Sequence, residues 1–364
     1  MDYSPGLRGV IAGETAISTV GKEGTSLRYR GYDATELTSK NTYEEVASLI
    51  LTDVLEETNF KKSFSKYYLE ITKDAKLNEL LDEIKDKLHP MDVVRTIVSY
   101  KGELTTLRKK ILDNEDKTEL SARITATVCF IIASYHQEAC DELDMQYLVA
   151  SSLLPNGVSK EKLEALDDML ILYAEHGFNA STFATRVTAS TRADLTGAIV
   201  SGIATLKGEL HGGANERAVE LINSFKTVDD AEKGIKALLE QKTKIMGFGH
   251  AIYRTSDPRN VIIKQWAEKL ADDVGDTVLY PVSCAIEKLM WDEKELFANA
   301  DFFHASAYNA MGIPTKLFTP IFVCSRVSGW TAHVMEQREN NRIIRPSADY
   351  VGEEPRVVGP ISAR

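Results

Sequence analysis

Residues 77–88 read LNELLDEIKDKL, and residues 231–244 read AEKGIKALLEQKTK. In both stretches Leu, Ile and Ala recur every few positions among Glu and Lys. This spacing matches the turn of an α-helix, about 3.6 residues, and places the apolar side chains on one face. The same spacing of apolar residues continues from Thr42 through most of the remaining chain. The sequence therefore predicts an all-α fold over most of its length.

Residues 6–37 differ from this pattern because they are rich in Gly, Ser, Thr and β-branched side chains. Within them, ISTVGKEGTSLRYRG at 17–31 places apolar residues on both sides of a Gly-Lys-Glu-Gly turn. Two short runs around a glycine-containing turn are typical of a β-hairpin. We therefore expect a short N-terminal β-hairpin before the helices.

Proline and glycine mark the expected helix boundaries. Pro90 is expected to open a helix, because proline is tolerated in the first helical turn. The helix that contains IATLK is expected to stop at Gly208, and a new helix is expected to begin near Ala214. The connections between helices are therefore predicted to be short.

The chain has 364 residues, of which 43% are hydrophobic and 27% are charged. This composition excludes a disordered or low-complexity protein. A single hydrophobic core rarely grows beyond about 250–300 residues, so two coupled domains are expected.

The formal net charge of −11 would repel a polyanion, which disfavours nucleic acid as a partner. Small anions are still possible ligands, because local arginines act within a Debye length of about 8 Å. The apolar runs Ile124–Ser134 and Leu195–Leu206 are well short of the roughly 20 residues that cross a bilayer, so no membrane partner is expected.

The cysteines and the N-terminus bear on the compartment. MDYSPGLRGVIAGE lacks the basic start and apolar run of a secretory signal. The cysteines have no C-x-x-C spacing, which disfavours a disulfide framework and a zinc site; they are Cys129, Cys140, Cys284 and Cys324. We expect a cytoplasmic protein.

Two histidines lie in glycine-interrupted loops. His211 lies in KGELHGGANERA and His250 in KIMGFGHAIYRTSDPRN. An imidazole beside free backbone amides suits an anion or a developing oxyanion. A histidine taken alone is more often a surface residue or a satisfied core residue than a site residue.

Two other interpretations of these segments are weaker. The histidine spacings give no i, i+4 pair and no H-E-x-x-H motif, so no metal is expected. The run Gly247–Gly249 resembles part of a dinucleotide loop, but the third glycine and a preceding strand pattern are missing.

Arginine binds planar carboxylates and phosphates through its rigid fork, although any one arginine is more often a surface residue. The candidates are Arg254, Arg259, Arg326 and Arg345. Asp301, in ANADFFHASAYNAMGIP, is a candidate general base partly removed from water; the alternative is a helix N-cap. These residues favour an acid/base enzyme that binds anions.

Several segments resemble one known family, in the same order along the chain. They are GLRGVIAGETAISTVG, LRYRGYDATEL, HPMDVVRT, YAEHGFNASTF, LKGELHGGANE, MGFGHAIYRTSDPR, ADFFHASAYNAMGIP and FTPIFVCSRVSGWTAHVMEQRENNRIIRPSADYVG. Together they resemble the citrate synthase family. The resemblance is strongest over residues 6–37, 166–260 and 299–351.

The resemblance implies a catalytic trio of His211, His250 and Asp301. Asp301 would take the proton from the acyl-CoA carbon beside the thioester, and His211 would donate to the thioester oxygen. His250 would polarise the ketone of oxaloacetate. The product thioester would be hydrolysed in the same site. No cofactor is implied, since the coenzyme A thioester is a substrate.

The resemblance also implies the groups that bind both substrates. Those for oxaloacetate are His176, Arg259, Arg326, Arg345, Asn179 and Phe322. Arg345 would come from the partner subunit, which implies a homodimer, and Asn179 and Ser181 would support His176. Those for coenzyme A are Arg254, Lys244, Ile245, Met246, Gly247, Phe248 and Gly249.

The implied fold is helical and has two domains. Residues 1–211 and 308–364 would form a large domain with the dimer interface, and residues 212–307 a small domain that closes over the active site. The sequence departs from the family at one position. Gly177 follows His176 where many relatives have Glu, which changes the support expected for His176.

Three segments bear on the acyl chain. They are HPMDVVRT, EKLMWDEKE and RGVIAGETAISTVGK, and they look most like bacterial 2-methylcitrate synthases, which use propionyl-CoA. We expect 2-methylcitrate formation with some citrate formation from acetyl-CoA. A dedicated citrate synthase of the tricarboxylic acid cycle is the alternative. A non-catalytic helical scaffold is remote, because it would be expected to lose some of the site residues.

Overall fold

The computed structural model describes residues 4–22, 24, 26–55, 58–103, 117–136, 143–155 and 157–358. Near the N-terminus, β1 (Ser18–Val20) pairs antiparallel with β2 (Leu27–Tyr29), which confirms the expected hairpin. A third strand, β3 (Tyr32–Asp33), pairs antiparallel with β2 and was not predicted. It follows β2 directly because Arg30 and Gly31 both take positive φ, 48° and 90°, as a two-residue hairpin turn requires.

The rest of the described chain is mostly helical, as predicted. The first eight α-helices are α1 (Ala34–Thr38), α2 (Tyr43–Thr52), α3 (Thr58–Ile71), α4 (Ala75–Ile84), α5 (Pro90–Glu103), α6 (Lys117–Ala133), α7 (Leu148–Leu153) and α8 (Lys160–Tyr173). The next eight are α9 (Ala180–Ser190), α10 (Leu195–Leu206), α11 (Ala214–Asn223), α12 (Val228–Glu240), α13 (Pro258–Val274), α14 (Leu279–Lys294), α15 (Ala300–Ala310) and α16 (Phe318–Glu339).

The boundary residues behave as their chemistry predicts. Pro90 is the first residue of α5, α10 ends at Leu206 just before Gly208, and α11 begins at Ala214. Some helices begin at a residue whose side chain caps the first turn. At the start of α9, the Asn179 side chain accepts a hydrogen bond from the Thr182 N–H.

The longest helix, α16, lies in the core of the protein. Nearly all of its residues are buried, and it packs against α2, α6, α8, α9 and α10. A helix buried on all sides normally carries apolar residues throughout, yet Arg326 and His333 are buried within α16. Buried charged or titratable groups need partners, so a functional site is expected beside α16.

A second set of helices packs mainly within itself. α13 and α11 both pack against α15, and α12 packs against α14. α13 also contacts α8, which joins this set to the helices around α16. Among the helices of the described ranges, none is both long and apolar enough to span a membrane.

Candidate active site

The predicted site residues lie where several helix ends meet. His176 lies between α8 and α9, His211 precedes α11, and His250 lies in the loop before α13. Asp301 is in the first turn of α15, whereas Arg326 lies in the middle of α16. Helix ends leave backbone amides unpaired, so this arrangement supplies hydrogen-bond donors to the cluster.

His211 is held through its Nε2 atom. The backbone N–H of Ser181 donates to Nε2 over 3.3 Å, and Ser181 Oγ lies 2.8 Å from the same atom. Since a backbone amide only donates, Nε2 is the acceptor and the proton of the neutral ring is on Nδ1. Burial, with Arg326 acting in the same direction, lowers the pKa of His211 to about 3. At neutral pH His211 is therefore a neutral Nδ1–H donor.

His250 is held in the opposite tautomer. Its Nδ1 accepts from the backbone N–H groups of Ile252, over 3.1 Å, and Tyr253, over 3.2 Å. The ring proton is therefore on Nε2. Burial, followed by the positive charge of Arg259, lowers the pKa of His250 to about 4. His250 is thus a neutral Nε2–H donor.

His176 lies beside His250, with the two rings edge-to-face and their centroids 5.1 Å apart. Its Nε2 is 3.2 Å from Oη of Tyr253. Burial lowers the pKa of His176 well below its usual value, and Arg259 and His250 act in the same direction. The imidazole is therefore neutral in this environment.

The expected support of His176 is partly as predicted. Asn179 Nδ2 donates to the carbonyl oxygen of His176 over 3.4 Å, while Asn179 Oδ1 accepts from the Thr182 N–H over 3.1 Å. Ser181 supports His176 indirectly, because its Oγ donates to Asn179 Oδ1 over 2.8 Å. Its backbone N–H also donates to the His211 ring. The turn that caps α9 brings Ser181 to His211, which is distant in sequence.

The backbone conformation at residue 177 explains why glycine stands where many relatives have glutamate. Its φ is 57°, in the left-handed region, and a Cβ there would lie 3.2 Å from Cγ2 of Val20. A glutamate would be strained in this conformation. The Gly177 N–H instead donates to Ser18 Oγ over 3.1 Å. Ser18 in turn donates to Glu175 Oε1 over 3.1 Å, so the Gly177 backbone is linked through Ser18 to the Glu175 carboxylate.

Glu175 and His333 form a buried pair that the sequence analysis missed. Glu175 Oε1 is 2.9 Å from His333 Nε2, and both side chains are fully buried. Burial alone would raise the pKa of Glu175, but His333 and then Arg326 outweigh it and lower the pKa. Glu175 is therefore a carboxylate close to Arg326. The only sequence signal was its position beside His176.

Asp301 is not the N-cap of α15, so that alternative is wrong. The cap is Asn299, whose Oδ1 accepts from the Asp301 N–H over 3.0 Å. The Asp301 carboxylate is left to accept from Tyr173 Oη over 2.6 Å. Burial raises the pKa of Asp301, whereas the Tyr173 hydrogen bond and the charge of Arg259 oppose this rise. Such a carboxyl is a stronger base than an exposed one.

The loop before His250 is fixed to the segment before Asp301. The Gly249 N–H donates to the Phe297 carbonyl over 2.8 Å, and the Asn299 N–H donates to the Gly247 carbonyl over 2.8 Å. Phe248 forms one antiparallel bridge with Ala298. The closely spaced glycines thus serve this contact, and the strand–loop–helix context of a dinucleotide loop is not present in the described segment 244–257.

Arg259 is fixed by Asp257, which the sequence analysis also missed. Asp257 caps α13 and accepts from Arg259 Nε over 2.9 Å and Nη2 over 2.7 Å. Burial alone would raise the pKa of Asp257, but Arg259 outweighs it and the pKa is lowered. Asp257 also accepts from the Ala300 N–H over 3.1 Å, which places this ion pair next to Asp301.

Arg326 has spare capacity for an anion. It is 1% exposed, its Nε donates to the Tyr173 carbonyl over 2.7 Å, and its guanidinium lies over the Phe322 ring at 4.8 Å. Within the described part of the chain, Nη1 of Arg326 has no hydrogen-bond partner. A buried donor without a partner is costly, so an incoming carboxylate would stabilise it.

The residues predicted to bind coenzyme A differ in exposure. Arg254 and Lys244 are exposed beside the cluster, whereas Ile245, Gly247 and Phe248 are buried. The loop also contains Met246 and Gly249, which are half-buried.

Arg345 lies apart from these groups, exposed in the extended segment that follows α16. Among the described residues, no hydrogen bond or ion pair joins Arg345 to the cluster. The described residues also contain no group of three or more His, Cys, Asp or Glu that could hold a metal ion.

Comparisons with known proteins show the family to which this chain belongs. The family model described as "Citrate synthase, C-terminal domain" matches residues 6–347. The chain is 52% identical to a 2-methylcitrate synthase of Shewanella oneidensis, over 99% of this chain and 97% of that protein. It is 38% identical to a citrate/2-methylcitrate synthase of Bacillus subtilis, over 96% of each chain.

A solved structure extends the likeness to three dimensions. It is a ternary complex of citrate synthase from Thermoplasma acidophilum with carboxymethyl coenzyme A and oxaloacetate. It matches with a TM-score of 0.90 and 28% identity, over 100% of both chains. The chain described here therefore belongs to the citrate synthase family.

Proposed function

We propose that this chain condenses propionyl-CoA with oxaloacetate and hydrolyses the resulting thioester, which consumes one water and releases 2-methylcitrate and coenzyme A. The observation that carries the proposal is the pair of neutral histidines with fixed, opposite tautomers, His211 and His250. Joining an acyl carbon to a ketone needs one base and a donor at each carbonyl oxygen. Asp301 is the third group, and its buried carboxyl has a raised pKa.

Asp301 is the base in this mechanism. The C–H bond beside the thioester breaks, the proton passes to Asp301, and the electron pair forms an enolate. Nδ1–H of His211 donates to the thioester oxygen and stabilises the charge that develops there. With a pKa of about 3 for loss of the imidazolium proton, His211 is uncharged at neutral pH and still carries one N–H, so it donates a hydrogen bond without a change of charge.

His250 acts on the second substrate. Its Nε2–H donates to the ketone oxygen of oxaloacetate, which makes the ketone carbon more electrophilic. The enolate carbon then bonds to the ketone carbon, and the ketone oxygen becomes an alkoxide that His250 stabilises. In the net reaction the alkoxide takes up the proton that Asp301 removed, which restores the Asp301 carboxylate. Water then adds to the thioester carbon of the product in the same site, and the C–S bond breaks to give a carboxylate, a proton and the coenzyme A thiol.

The two carboxylates of oxaloacetate need cationic and donor groups. The unpaired Nη1 of Arg326 supports a role in carboxylate binding, and Arg259 and His176 lie beside His250. The Phe322 ring packs against the Arg326 guanidinium, and Asn179 donates to the His176 carbonyl oxygen.

Arg345 is assigned to the partner's site in a homodimer. Its exposure in the extended segment 340–358 supports this assignment, because within the described ranges it has no hydrogen bond or ion pair with the cluster. Coenzyme A is assigned to Arg254 and to the loop from Lys244 to Gly249, which is fixed to the start of α15 next to Asp301. The exposed cations of this region suit phosphate groups.

Residues 212–307 are proposed to form the small domain and residues 1–211 and 308–364 the large one. The mutual packing of α11 to α15 supports this division. The site residues then come from both sides, with Asp301 on the small domain and Arg326 on the large one. We assign the protein to the cytoplasm on the basis of its few, scattered cysteines, of which the three in the described ranges are free.

The choice of acyl chain is the finer part of the proposal. The 52% identity to a 2-methylcitrate synthase favours propionyl-CoA. One methylene in an apolar pocket is worth only about 1–3 kcal/mol, so acetyl-CoA should also react. Release of coenzyme A should be measured from both thioesters at saturating oxaloacetate. A higher kcat/KM for propionyl-CoA is expected, and a clear preference for acetyl-CoA would favour a dedicated citrate synthase.

A further inference from the structure

Tyr173, the last residue of α8, is held between two other rings of the cluster. Its ring stacks on His304 with centroids 4.2 Å apart and planes at 16°. The opposite face stacks on Phe322, with 3.9 Å between centroids and planes at 20°. The side chain is fully buried, so the phenol oxygen has one fixed position.

That position is at the carboxylate of Asp301. Tyr173 Oη donates to Asp301 Oδ1 over 2.6 Å, which is short for a hydrogen bond to a neutral acceptor and normal for one to a carboxylate. Burial, and then the nearby Asp301, raise the pKa of Tyr173 well above its usual value. The phenol therefore stays protonated and is a permanent donor.

We propose that Tyr173 is a positioning residue that holds Oδ1 of Asp301 and leaves Oδ2 as the oxygen that takes the proton from the acyl-CoA. The proposal rests on the role of Asp301 as base. Tyr173 acts on the reaction only through Asp301. Its hydrogen bond also joins α8 to α15, on opposite sides of the proposed domain boundary, so it forms only when the two parts are docked as they are here.

Other charged groups also shift the pKa of Asp301, and their effects are present in both the wild type and the variants. Arg259 of α13 and Arg326 of α16 lower its pKa, and Asp257 at the start of α13 raises it. His304 of α15 is neutral, because burial lowers its pKa to about 3.

The titratable groups on the other helices that pack against α15 are engaged elsewhere. Lys264 of α13 pairs with Glu287 of α14 near the Phe303 ring, and Glu216 of α11 pairs with His89. Tyr173 is therefore a neutral donor, and removal of its hydroxyl changes the pKa of Asp301 without changing the formal charge of the cluster.

The test is Tyr173→Phe, which keeps the stacked ring and removes the hydroxyl. Tyr308→Phe is the matched control, because Tyr308 is also fully buried on α15 and its hydroxyl has no hydrogen-bond partner in the described structure. The pH profile of kcat/KM for the acyl-CoA is measured at saturating oxaloacetate, and kcat and KM for oxaloacetate are measured at saturating acyl-CoA. The isotope effect on deuterating the acyl carbon is measured alongside it.

Tyr173→Phe should raise the apparent pKa of the acid limb by about one unit, because the lost hydrogen bond stabilised the ionised carboxyl. It should also lower kcat about tenfold, increase the isotope effect, and leave KM for oxaloacetate within about twofold. Tyr308→Phe should match the wild type in all four measurements.

Three outcomes would overturn the proposal. An acid limb unchanged in Tyr173→Phe, or moved equally by Tyr308→Phe, would make Tyr173 a packing residue. A KM for oxaloacetate that rises in step with the fall in kcat would assign the defect to the binding site as a whole. Near wild-type turnover of Asp301→Asn would reject Asp301 as the base, and Tyr173 with it. A low turnover of Asp301→Asn with an unshifted Tyr173→Phe profile would reject only the role of Tyr173.

Discussion

The backbone N–H of Ser181 donates to Nε2 of His211 over 3.3 Å, and this contact decides which ring nitrogen of His211 carries the proton. The contact uses an amide at the start of α9, so the tautomer is set by the fold and not by solvent. The His250 ring is fixed by backbone amides in the same way, through its other nitrogen. Two neutral donors are therefore ready before any substrate binds.

Loss of any catalytic group should slow turnover strongly. His211→Ala, His250→Ala and Asp301→Asn should each lower kcat by about 10²-fold or more, since a positioned acid or base supplies roughly 10²–10⁴. His89→Ala is a matched control, because His89 is partly exposed and pairs with Glu216. Steady-state release of coenzyme A measures all four. Near wild-type turnover in a folded variant would remove that residue from the mechanism.

Arg345 should complete the site of the partner subunit. Mixing inactive Arg345→Leu chains with inactive Asp301→Asn chains should restore activity, because one site of a mixed dimer then carries neither change. Activity is measured after exchange of subunits, and differently tagged chains show that mixed dimers have formed. If proven mixed dimers stay inactive, Arg345 acts within its own chain or outside catalysis.

Oxaloacetate should bind before the acyl-CoA and increase its affinity. A dianion held by Arg326 of α16 and Arg259 of α13 joins the two proposed domains and favours the closed arrangement. A ligand shifts such an equilibrium only by its differential affinity for the two states. Calorimetric titration of a non-reactive acyl-CoA analogue, with and without oxaloacetate, measures the effect. Equal affinity in both titrations would exclude this coupling.

Asp168 should make stability depend on pH. Trp266 Nε1 donates to Asp168 Oδ2 over 2.7 Å, and burial raises the pKa of Asp168 to about 7 although this hydrogen bond opposes the rise. Between about pH 4, the value in an unfolded chain, and about pH 7, the folded state binds the extra proton. The contribution of Asp168 to stability is therefore greatest at low pH and is lost as pH rises through that window.

Asp168→Asn keeps an oxygen acceptor for Trp266 and cannot ionise. The stability of the variant relative to the wild type should therefore increase between about pH 5 and about pH 8. Urea unfolding at each pH measures it, and Asp292→Asn, at an exposed position paired with Lys288, is the control. A stability difference that is constant over this range would contradict the prediction.

Much of the fold could be predicted because its signals are local. The helical period, Pro90 and the turn between β1 and β2 act over a few residues, and the structure agrees with each of them. The third strand β3 was missed, because it depends on positive φ at Arg30, which non-glycine residues seldom adopt.

The site residues also fall into those that local sequence motifs predict and those that they do not. The loop histidines and Asp301 could be named from their motifs, and the structure brings them into one cluster. Tyr173, Glu175 and Asp257 could not be named, because each matters through a partner that is distant in sequence or hidden inside a helix end. Arg345 could be assigned only by family resemblance, since no hydrogen bond or ion pair in the described part of the chain joins Arg345 to the cluster.

The most direct test of the account is the fate of the acyl carbons. Isotopically labelled propionyl-CoA is incubated with the enzyme, with and without oxaloacetate, and the products are identified by mass spectrometry. The account predicts a tricarboxylate that contains both the label and the oxaloacetate skeleton, together with free coenzyme A. It predicts coenzyme A release only when oxaloacetate is present, and almost none from Asp301→Asn. Release of labelled propionate without oxaloacetate, at the rate of the complete reaction, would show simple thioester hydrolysis and would contradict the condensation.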